Sequence, residues 1–254
     1  METIGIIVAM PQESDAVLRL IGQRARTDFG KHRYYRFRIS GRKCWLLTSG
    51  MGIQRAAEAT RILIDAASPQ LLVSVGIAGA VNADLEIGDV VASRDTCLFE
   101  DGNAGPFQPL ARLSEAAWQA AEKALQPSGK GLYPGTAVTT HGAQPIQQLL
   151  EHMENPVLEM ETAGIISAAA EKSIPVISLR AISDGPRAPI PFNLEQMMDE
   201  NDNLRTGVII QTILGHPRML PQLVRMGHNS RLAADNAALT LLAALSQSGP
   251  VINP

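Results

Sequence analysis

Cysteine is scarce in this chain, and long apolar runs are absent from it. The 254 residues include two cysteines, Cys44 and Cys97, which are far apart in sequence and form no metal-type pair. Neither a disulfide framework nor a zinc site is predicted, and a reducing cytoplasm is the expected compartment. No segment approaches the roughly 20 apolar residues that a membrane-spanning helix needs. The apolar start at residues 4–10 is too short for a signal sequence, and Glu13 and Asp15 follow it at once. We therefore expect a soluble protein without a transmembrane segment.

The chain also lacks an excess of charge of either sign. It carries 22 Lys and Arg residues against 25 Asp and Glu residues, which gives a formal net charge of -3. Nucleic-acid binding draws its energy from clustered positive charge, so no nucleic-acid partner is predicted. With 45% hydrophobic residues and no Gly/Ser-rich or Pro-rich linker, the composition is that of one globular domain over residues 1–254. Nothing in the sequence indicates a metal or another cofactor.

Short apolar runs that are rich in β-branched residues predict buried strands. Five such runs lie at residues 4–9, 46–48, 71–75, 90–92 and 175–179. Helical periodicity separates several of them, for example from Ile53 to Ile64, before Pro69 ends the pattern. This alternation predicts an α/β domain in which helices cover a parallel or mixed sheet. From about residue 204 the pattern changes to a helical tail that continues to about residue 246.

Four of the predicted strands are followed by small or polar residues, at 10–13, 49–52, 76–79 and 183–185. Open α/β sheets bind ligands at the carboxyl ends of their strands, so these segments are candidates for one common site. The segment with Gly50 and Gly52 also fits either a dinucleotide-binding loop or a tight turn between a strand and a helix. Arg55 stands where a dinucleotide loop has its third glycine, which leaves an oxidoreductase as a distant alternative.

The charged residues near these segments have simpler interpretations as well. Glu13 is placed to complement a helix dipole on the surface, and Glu159 and Glu161 fit exposed charges at the start of a helix. Arg180 fits a surface ion pair, and Asp184 fits the cap of a turn. Taken one at a time, these residues do not decide between a surface role and a catalytic one.

In chain order, however, the motifs resemble one family. They are Gly5-Ile6-Ile7-x-Ala9-Met10-x-x-Glu13, Ser49-Gly50-Met51-Gly52, Gly76-x-Ala78-Gly79, Ile87-Gly88-Asp89-Val90-Val91, Glu159-Met160-Glu161 and Arg180-Ala181-Ile182-Ser183-Asp184. This ordered set resembles the purine nucleoside phosphorylase and nucleosidase superfamily over about the first two hundred residues. The pattern is most similar to the methylthioadenosine/S-adenosylhomocysteine nucleosidases. The resemblance implies a single α/β domain with a twisted mixed β-sheet flanked by helices, assembled into a homodimer or a larger homo-oligomer.

The resemblance also implies roles for individual residues in the cleavage of a purine-type nucleoside. Glu13 corresponds to the glutamate that deprotonates the attacking water, and Asp184 to the aspartate that protonates purine N7. Glu161 corresponds to the residue that binds the ribosyl hydroxyls, and Met160 to the methionine packed against the sugar. Ser183 and Arg180 correspond to positions that support the aspartate. The remaining expected substrate-binding residues are Glu159, Met51, Gly76, Ile77, Ala78, Phe192 and His141.

The chemistry explains why these residue types are needed. Cleavage of an N-ribosyl bond builds positive charge on the sugar and negative charge on the departing base, and both charges need partners. A free Asp has a pKa of about 3.9, so Asp184 requires a desolvating pocket, or a proton gained when substrate binds, to act as an acid. Glu13 must stay ionised to accept a proton from water, and Glu161 offsets the oxocarbenium charge through the sugar hydroxyls.

The nucleophile is predicted to be water. Phosphorylases of the superfamily carry an arginine and a hydroxyl residue that hold phosphate, and here those positions are Ser74 and Ile77. The carboxylate of Glu13 would also repel a phosphate dianion. A phosphorylase remains the nearest alternative. A nucleoside-binding protein without turnover is the alternative of a different class.

The identity of the nucleoside stays open. Ile77 replaces the serine usual in methylthioadenosine nucleosidases. The resulting Gly76-Ile77-Ala78-Gly79 loop is similar to that of futalosine hydrolases and hopanoid-associated phosphorylase-like proteins. Ala143 lies where adenine-specific enzymes place an aromatic residue, and it cannot stack on a base. His141 is either a base or sugar contact or a structural loop residue. The tail at residues 215–223 also resembles the hopanoid-associated group, which adds an adenosyl-lipid nucleosidase or phosphorylase to the alternatives. We expect the tail to cover the core or a subunit interface, and its apolar, arginine-bearing helix also fits contact with a membrane surface.

Overall fold

The computed structural model describes residues 2–29, 32–141, 150, 152–189 and 220–253. Helices and strands alternate through the first two thirds of the chain. The strands are β1 (Thr3–Val8), β2 (Arg24–Phe29), β3 (His32–Ile39), β4 (Arg42–Thr48), β5 (Leu71–Ala80), β6 (Val90–Glu100), β7 (Asn103–Ala104), β8 (Gln108–Pro109), β9 (Leu132–Thr140), β10 (Pro156–Glu159) and β11 (Val176–Asp184). The helices are α1 (Pro11–Arg19), α2 (Ile53–Ala67), α3 (Glu115–Leu125), α4 (Thr162–Ala170) and α5 (Leu220–Ser246), with a short 3-10 helix at Gln126–Ser128.

All eleven strands belong to one mixed sheet, in the order β10-β9-β6-β11-β5-β1-β4-β3-β2, with β7 and β8 paired to β6. At its centre β11, β5, β1 and β4 run parallel, so their carboxyl ends lie at the same edge. Strand β10 pairs both with β9 and, antiparallel, with β5, which closes β5, β11, β6, β9 and β10 into a ring. The expected α/β domain with a mixed sheet flanked by helices is confirmed.

Alternation along the central strands divides the core between two layers of helices. Ile4, Ile6 and Val8 of β1 face α1, α3 and α5, and together with these helices they form the larger apolar cluster. Ile7 points to the other side, where α2 and α4 cover the sheet. Gly164 permits the close approach of those two helices, because a Cβ there would collide with the carbonyl of Ile53. This approach fixes the start of α4 beside the start of α2.

The five predicted strands are all present, and four of them, β4, β5, β6 and β11, are longer than predicted. Strand β5 continues through residues 76–79, and β11 includes Ser183 and Asp184, so these residues lie within strands and do not follow them. Strands β2, β3, β7, β8, β9 and β10 were not predicted. The tail is confirmed as helix α5 from Leu220, whereas residues 204–219 lie outside the described residues. Among the described helices, none is long and apolar enough to cross a membrane.

The C-terminal end of α5 is held by Arg42, which is buried at the start of β4. Its guanidinium donates hydrogen bonds to the carbonyl oxygens of Leu245, Gln247 and Gly249. The same guanidinium donates to the carboxylate of Glu2 at 2.9 Å. A cation is well placed there because the last carbonyls of a helix have no intrahelical donors.

Candidate active site

Glu13 lies in the first turn of α1, directly after the carboxyl end of β1, and only 4% of its surface is exposed. One carboxylate oxygen, Oε2, accepts hydrogen bonds from the backbone N–H groups of Ala9 at 2.8 Å and Met10 at 2.9 Å. The other, Oε1, accepts from the N–H of Ile77 on β5 at 3.0 Å. Burial raises the pKa of Glu13 above its ordinary value, and these hydrogen bonds and the charge of Arg180 offset only part of the increase.

Gly76 allows this approach of Glu13 to strand β5. A Cβ at position 76 would lie 2.6 Å from Oε1 of Glu13 and 2.6 Å from Nη1 of Arg180. Real Cβ contacts essentially never fall below 3.0 Å, so a side chain here would displace both charged groups. Position 76 therefore requires glycine, because the side chains of Glu13 and Arg180 approach the backbone of β5 closely there.

Arg180 and Glu159 form a fully buried ion pair. Arg180 is 1% exposed, and its Nη2 donates to Oε2 of Glu159 at 2.6 Å and to the hydroxyl oxygen of Ser74 at 2.7 Å. Burial alone would raise the pKa of Glu159. The charge of Arg180 and the hydrogen bonds from Thr139 and Thr162 outweigh this effect, so the pKa lies below its ordinary value. Burial alone would lower the pKa of Arg180. The negative charges of the neighbouring glutamates outweigh this effect, so the pKa of Arg180 is raised. Glu159 is thus ionised, and Arg180 is the cation that compensates its charge.

Glu161 lies at the start of α4, two residues beyond Glu159, and is 7% exposed. Its Oε1 accepts from the backbone N–H of Gly52 at 3.2 Å, and its Oε2 is 3.8 Å from Nη2 of Arg180. Burial, together with the charges of Glu159 and Glu13, raises the pKa of Glu161 to about 8. Three carboxylates thus share one guanidinium, and Glu161 is the one that retains a proton near neutral pH.

Asp184 ends β11, beside a β-bulge at Ser183. Ile182 pairs with Ala78 of β5 and Asp184 with Gly79, so Ser183 is the extra residue. The Ser183 hydroxyl is 2.7 Å from Oδ1 of Asp184, and a Cβ at Gly79 would lie 2.7 Å from Oδ2. Burial raises the pKa of Asp184, which the hydrogen bond from Ser183 only partly offsets. This shift favours the protonated form that a proton donor needs.

The structure brings the predicted residues to one edge of the sheet and corrects several interpretations. Glu13, Glu159, Glu161 and Arg180 are buried, so their interpretation as exposed surface charges is wrong. Arg180 was also expected to support Asp184, but its hydrogen bonds go to Glu159, Ser74 and Thr162 instead. Ser183 does contact the aspartate. The Gly50–Gly52 segment forms a tight turn between β4 and α2, with a φ of 88° at Gly50 and 99° at Gly52.

The other predicted substrate-binding residues differ in how deeply they are buried. Met51, Met160 and Ile77 are half-buried near the carboxylates, and Ala78 is buried within β5. His141 is half-exposed, with its Nε2 3.5 Å from a carboxylate oxygen of Glu100. Phe192 and Ala143 lie outside the described residues.

Sequence reasoning missed two threonines that orient Glu159. The hydroxyl of Thr139, near the end of β9, donates to Oε1 of Glu159 and accepts from the N–H of Ala163 at 3.0 Å. Thr162 donates to Oε2 of Glu159 through both its N–H, at 2.8 Å, and its hydroxyl, at 2.7 Å. The only available signal was the position of Thr162 directly after Glu161 at a helix start, where hydroxyl residues bond to nearby groups.

Positive charge is concentrated in one segment of the chain, although the net charge is slightly negative. Residues 19–43 contain nine of the 22 Lys and Arg residues and a single acid. Arg24, Arg36 and Arg38 line a depression of about 1090 Å³ at the edge of the sheet, which contains none of the predicted site residues. The guanidinium of Arg36 lies 5.3 Å from the centre of the Trp45 ring, and this cation–π contact stabilises the pairing of β3 with β4.

Comparison with known proteins places this geometry in a family. A model of the phosphorylase superfamily matches residues 3–213. A 5'-methylthioadenosine/S-adenosylhomocysteine nucleosidase from Haemophilus influenzae is 28% identical over 224 residues, which cover 83% of this chain and 98% of that protein. Another, from Halalkalibacterium halodurans, is 26% identical over 85% of this chain and 99% of its own length.

Solved structures share the fold. The Neisseria meningitidis 5'-methylthioadenosine/S-adenosylhomocysteine nucleosidase, in complex with methylthio-immucillin-A, superimposes with a TM-score of 0.70 and 19% identity, covering 97% of this chain and 99% of that one. Futalosine hydrolase of Helicobacter pylori gives a TM-score of 0.66 and 19% identity, with 95% and 96% coverage. Together with the match over residues 3–213, these similarities show that the chain belongs to the phosphorylase superfamily.

Proposed function

We propose that the protein hydrolyses the N-glycosidic bond of a purine-type nucleoside, an adenosine derivative such as methylthioadenosine or adenosylhomocysteine, and releases the free base and the sugar. The observation that carries the proposal is the group formed by the buried Glu13 and Glu161 and the half-buried Asp184, which three separate elements bring to the carboxyl edge of one sheet. The nucleosidase names of the relatives from Haemophilus influenzae and Halalkalibacterium halodurans support it.

The three carboxyl groups would divide the reaction between them. Glu13, whose pKa is raised by burial, accepts a proton from the attacking water. Glu161 receives the hydroxyls of the ribosyl group and, once it has lost the proton that it retains in the free protein, offsets the positive charge of the sugar in the transition state. Asp184, which burial keeps protonated to a higher pH than an ordinary aspartate, donates its proton to the departing base. Separate environments thus give carboxyl groups opposite tasks at one pH.

Arg180 would act on this site through other residues. The positive charge of Arg180 opposes the effect of the Glu159 carboxylate, which raises the pKa of Glu161. Its Nη1 lies on the Glu13 side of Gly76, so it also limits the pKa of Glu13. The guanidinium therefore sets the charge balance of the two glutamates that remain for substrate.

Water fits this site better than phosphate does. The Ser74 hydroxyl is bonded to Arg180, and Ile77 has no polar side chain to offer an anion. The N–H groups of Ala9, Met10 and Ile77 already donate to the Glu13 carboxylate. A phosphate dianion would have to replace or approach this carboxylate, at a Coulombic cost of about 4 kcal/mol per pair of unit charges at 4 Å near a protein surface.

The test measures free base from the purified protein given methylthioadenosine, adenosylhomocysteine, inosine and futalosine, each with and without phosphate. We expect release in phosphate-free buffer and a loss of about 10²–10⁴-fold in kcat on Asp184→Asn. Release only in the presence of phosphate would establish the phosphorolytic alternative. Nucleoside binding without release of any base would favour a binding protein, for which Ile77 is the motivating difference from the nucleosidases.

The proposal also includes a cytoplasmic location and a homodimer or larger homo-oligomer. Both cysteines are free and buried, as expected in a reducing compartment. Sedimentation velocity of the purified chain measures the oligomeric state, and a monomer at micromolar concentration would contradict that part of the proposal.

A further inference from the structure

The segment at Glu86–Asp89 forms a backbone clamp on the strand that carries Asp184. The N–H of Gly88 donates to the carbonyl oxygen of Ile182, and the N–H of Ile182 donates to the carbonyl oxygen of Asp89, both at 2.8 Å. Ile182 is the last residue of β11 in register before the bulge at Ser183. The Gly88–Asp89 motif therefore fixes β11 directly before the bulge that orients the proton donor.

The clamp is in turn held from two sides. The Asp89 carboxylate accepts from the N–H of Glu86 at 2.8 Å and from the N–H of Gly131 at 2.9 Å. On the other side, Nδ2 of Asn236 on helix α5 donates to the carbonyl oxygen of Gly88 at 2.7 Å. Asn236 is 4% exposed, so this hydrogen bond has little competition from water.

Gly88 is shaped for this contact. Its φ is 91°, in the region that favours glycine, and a Cβ there would lie 3.1 Å from Nδ2 of Asn236. Helix α5 thus touches the clamp through one buried polar side chain among apolar neighbours such as Ala233 and Ala237. A polar group in such surroundings is costly unless it is bonded, so the hydrogen bond to Gly88 has a specific structural role.

We propose that Asn236 is a positioning residue for the proton donor: it holds the Gly88–Asp89 clamp against Ile182 and so fixes the bulge that aims Asp184 at the departing base. The inference rests on the proposed function, because it assigns Asp184 as the acid. It gives the C-terminal helix a part in the reaction, although α5 contributes no residue to the carboxylate group. A misplacement of a catalytic group by about 1 Å costs on the order of 10² in rate, so a loosened clamp has a measurable effect.

The test compares Asn236→Asp, which keeps the shape and replaces the amide donor by a carboxyl group, with Thr240→Val on the same helix. Thr240 is also fully buried, and its hydroxyl bonds only to the carbonyl oxygen of Asn236 among the described contacts, so it reports the general cost of a polar loss in α5. We expect kcat of Asn236→Asp to fall by about 10- to 100-fold with KM nearly unchanged, and Thr240→Val to keep both. In the Asp184→Asn background, Asn236→Asp should cost little more, because it acts through the aspartate.

A second measurement is independent of activity. Amide hydrogen exchange of Ile182 should be accelerated at least about tenfold by Asn236→Asp, and not by Thr240→Val. Asn236→Ala serves as a second variant if the aspartate prevents folding. Unchanged exchange at Ile182, an unchanged kcat, or fully additive losses with Asp184→Asn would overturn the inference. A wild-type protein that releases no base sinks the proposed function, while the exchange measurement still decides whether Asn236 holds the clamp.

Discussion

Gly76→Ala is the most direct test of how Glu13 and Arg180 share the site. The new Cβ would be 2.6 Å from one terminal atom of each, whereas ordinary contact begins at 3.4 Å, so both side chains must move away by about 0.8 Å. Neither group moves freely. Glu13 is bonded to three backbone N–H groups, and Arg180 is bonded to Glu159, Ser74 and Thr162.

The expected result is a loss of kcat on the order of 10²-fold, because Glu13 is displaced from the water that it must deprotonate. Overpacking adds a loss of about 1–3 kcal/mol in the free energy of unfolding. The assay is base release under saturating nucleoside, with urea unfolding of the same preparations. Gly22→Ala is the matched control, because nothing lies within 4 Å of a Cβ there. Full activity of Gly76→Ala alongside an unchanged control would refute the close approach of Glu13 to strand β5.

Three further predictions follow from the buried charges and the helix end. Glu159→Gln leaves Arg180 without its partner and should cost about 3–5 kcal/mol in urea unfolding; stability equal to wild type would mean that the pair is not buried as described. Because the pKa of Glu161 rises from 4.5 to about 8 on folding, the folded state binds more protons between these values, and stability should fall as pH rises from about 4.5 to 8. Glu161→Gln should flatten that slope in unfolding measured at each pH, and an unaltered slope would contradict the shift. Arg42→Met should increase proteolysis and amide exchange at the end of α5 and lower the free energy of unfolding by about 2–4 kcal/mol, whereas unchanged protection would contradict its role as the helix cap.

Short-range patterns were enough to predict the centre of the sheet and the segments that meet at its carboxyl edge. Strands β1, β5 and β11 are continuous apolar runs because helices bury them on both faces. Glu13 and Asp184 could be anticipated because each follows or ends such a run, and the carboxyl ends of parallel strands meet at one edge. The ordered motifs supplied the roles, which neither residue would have indicated alone.

The outer strands and the charge network could not be anticipated in the same way. Strands β2 and β3 carry arginines on exposed positions, so their pattern is that of a solvated edge rather than of a buried run. The partner of Arg180 is 21 residues away on another strand, and the Ser74 hydroxyl is 106 residues away. Only the pairing of β11 with β5 and the closure of the ring by β10 bring these groups together. The burial that shifts the pKa of Glu161 is likewise a property of the assembled fold.

The three N–H groups around Glu13 form an anion-binding position that is built from backbone alone. They belong to backbone whose course is set by the pairing of β1 with β4 and β5, and not by the carboxylate that they bind. Converging backbone N–H groups of this kind hold any compatible anion. A small residue at position 13 would leave the same donors available to a free oxyanion, without rebuilding the sheet. The pairing of the strands, rather than the residue at position 13, therefore preserves this anion-binding position.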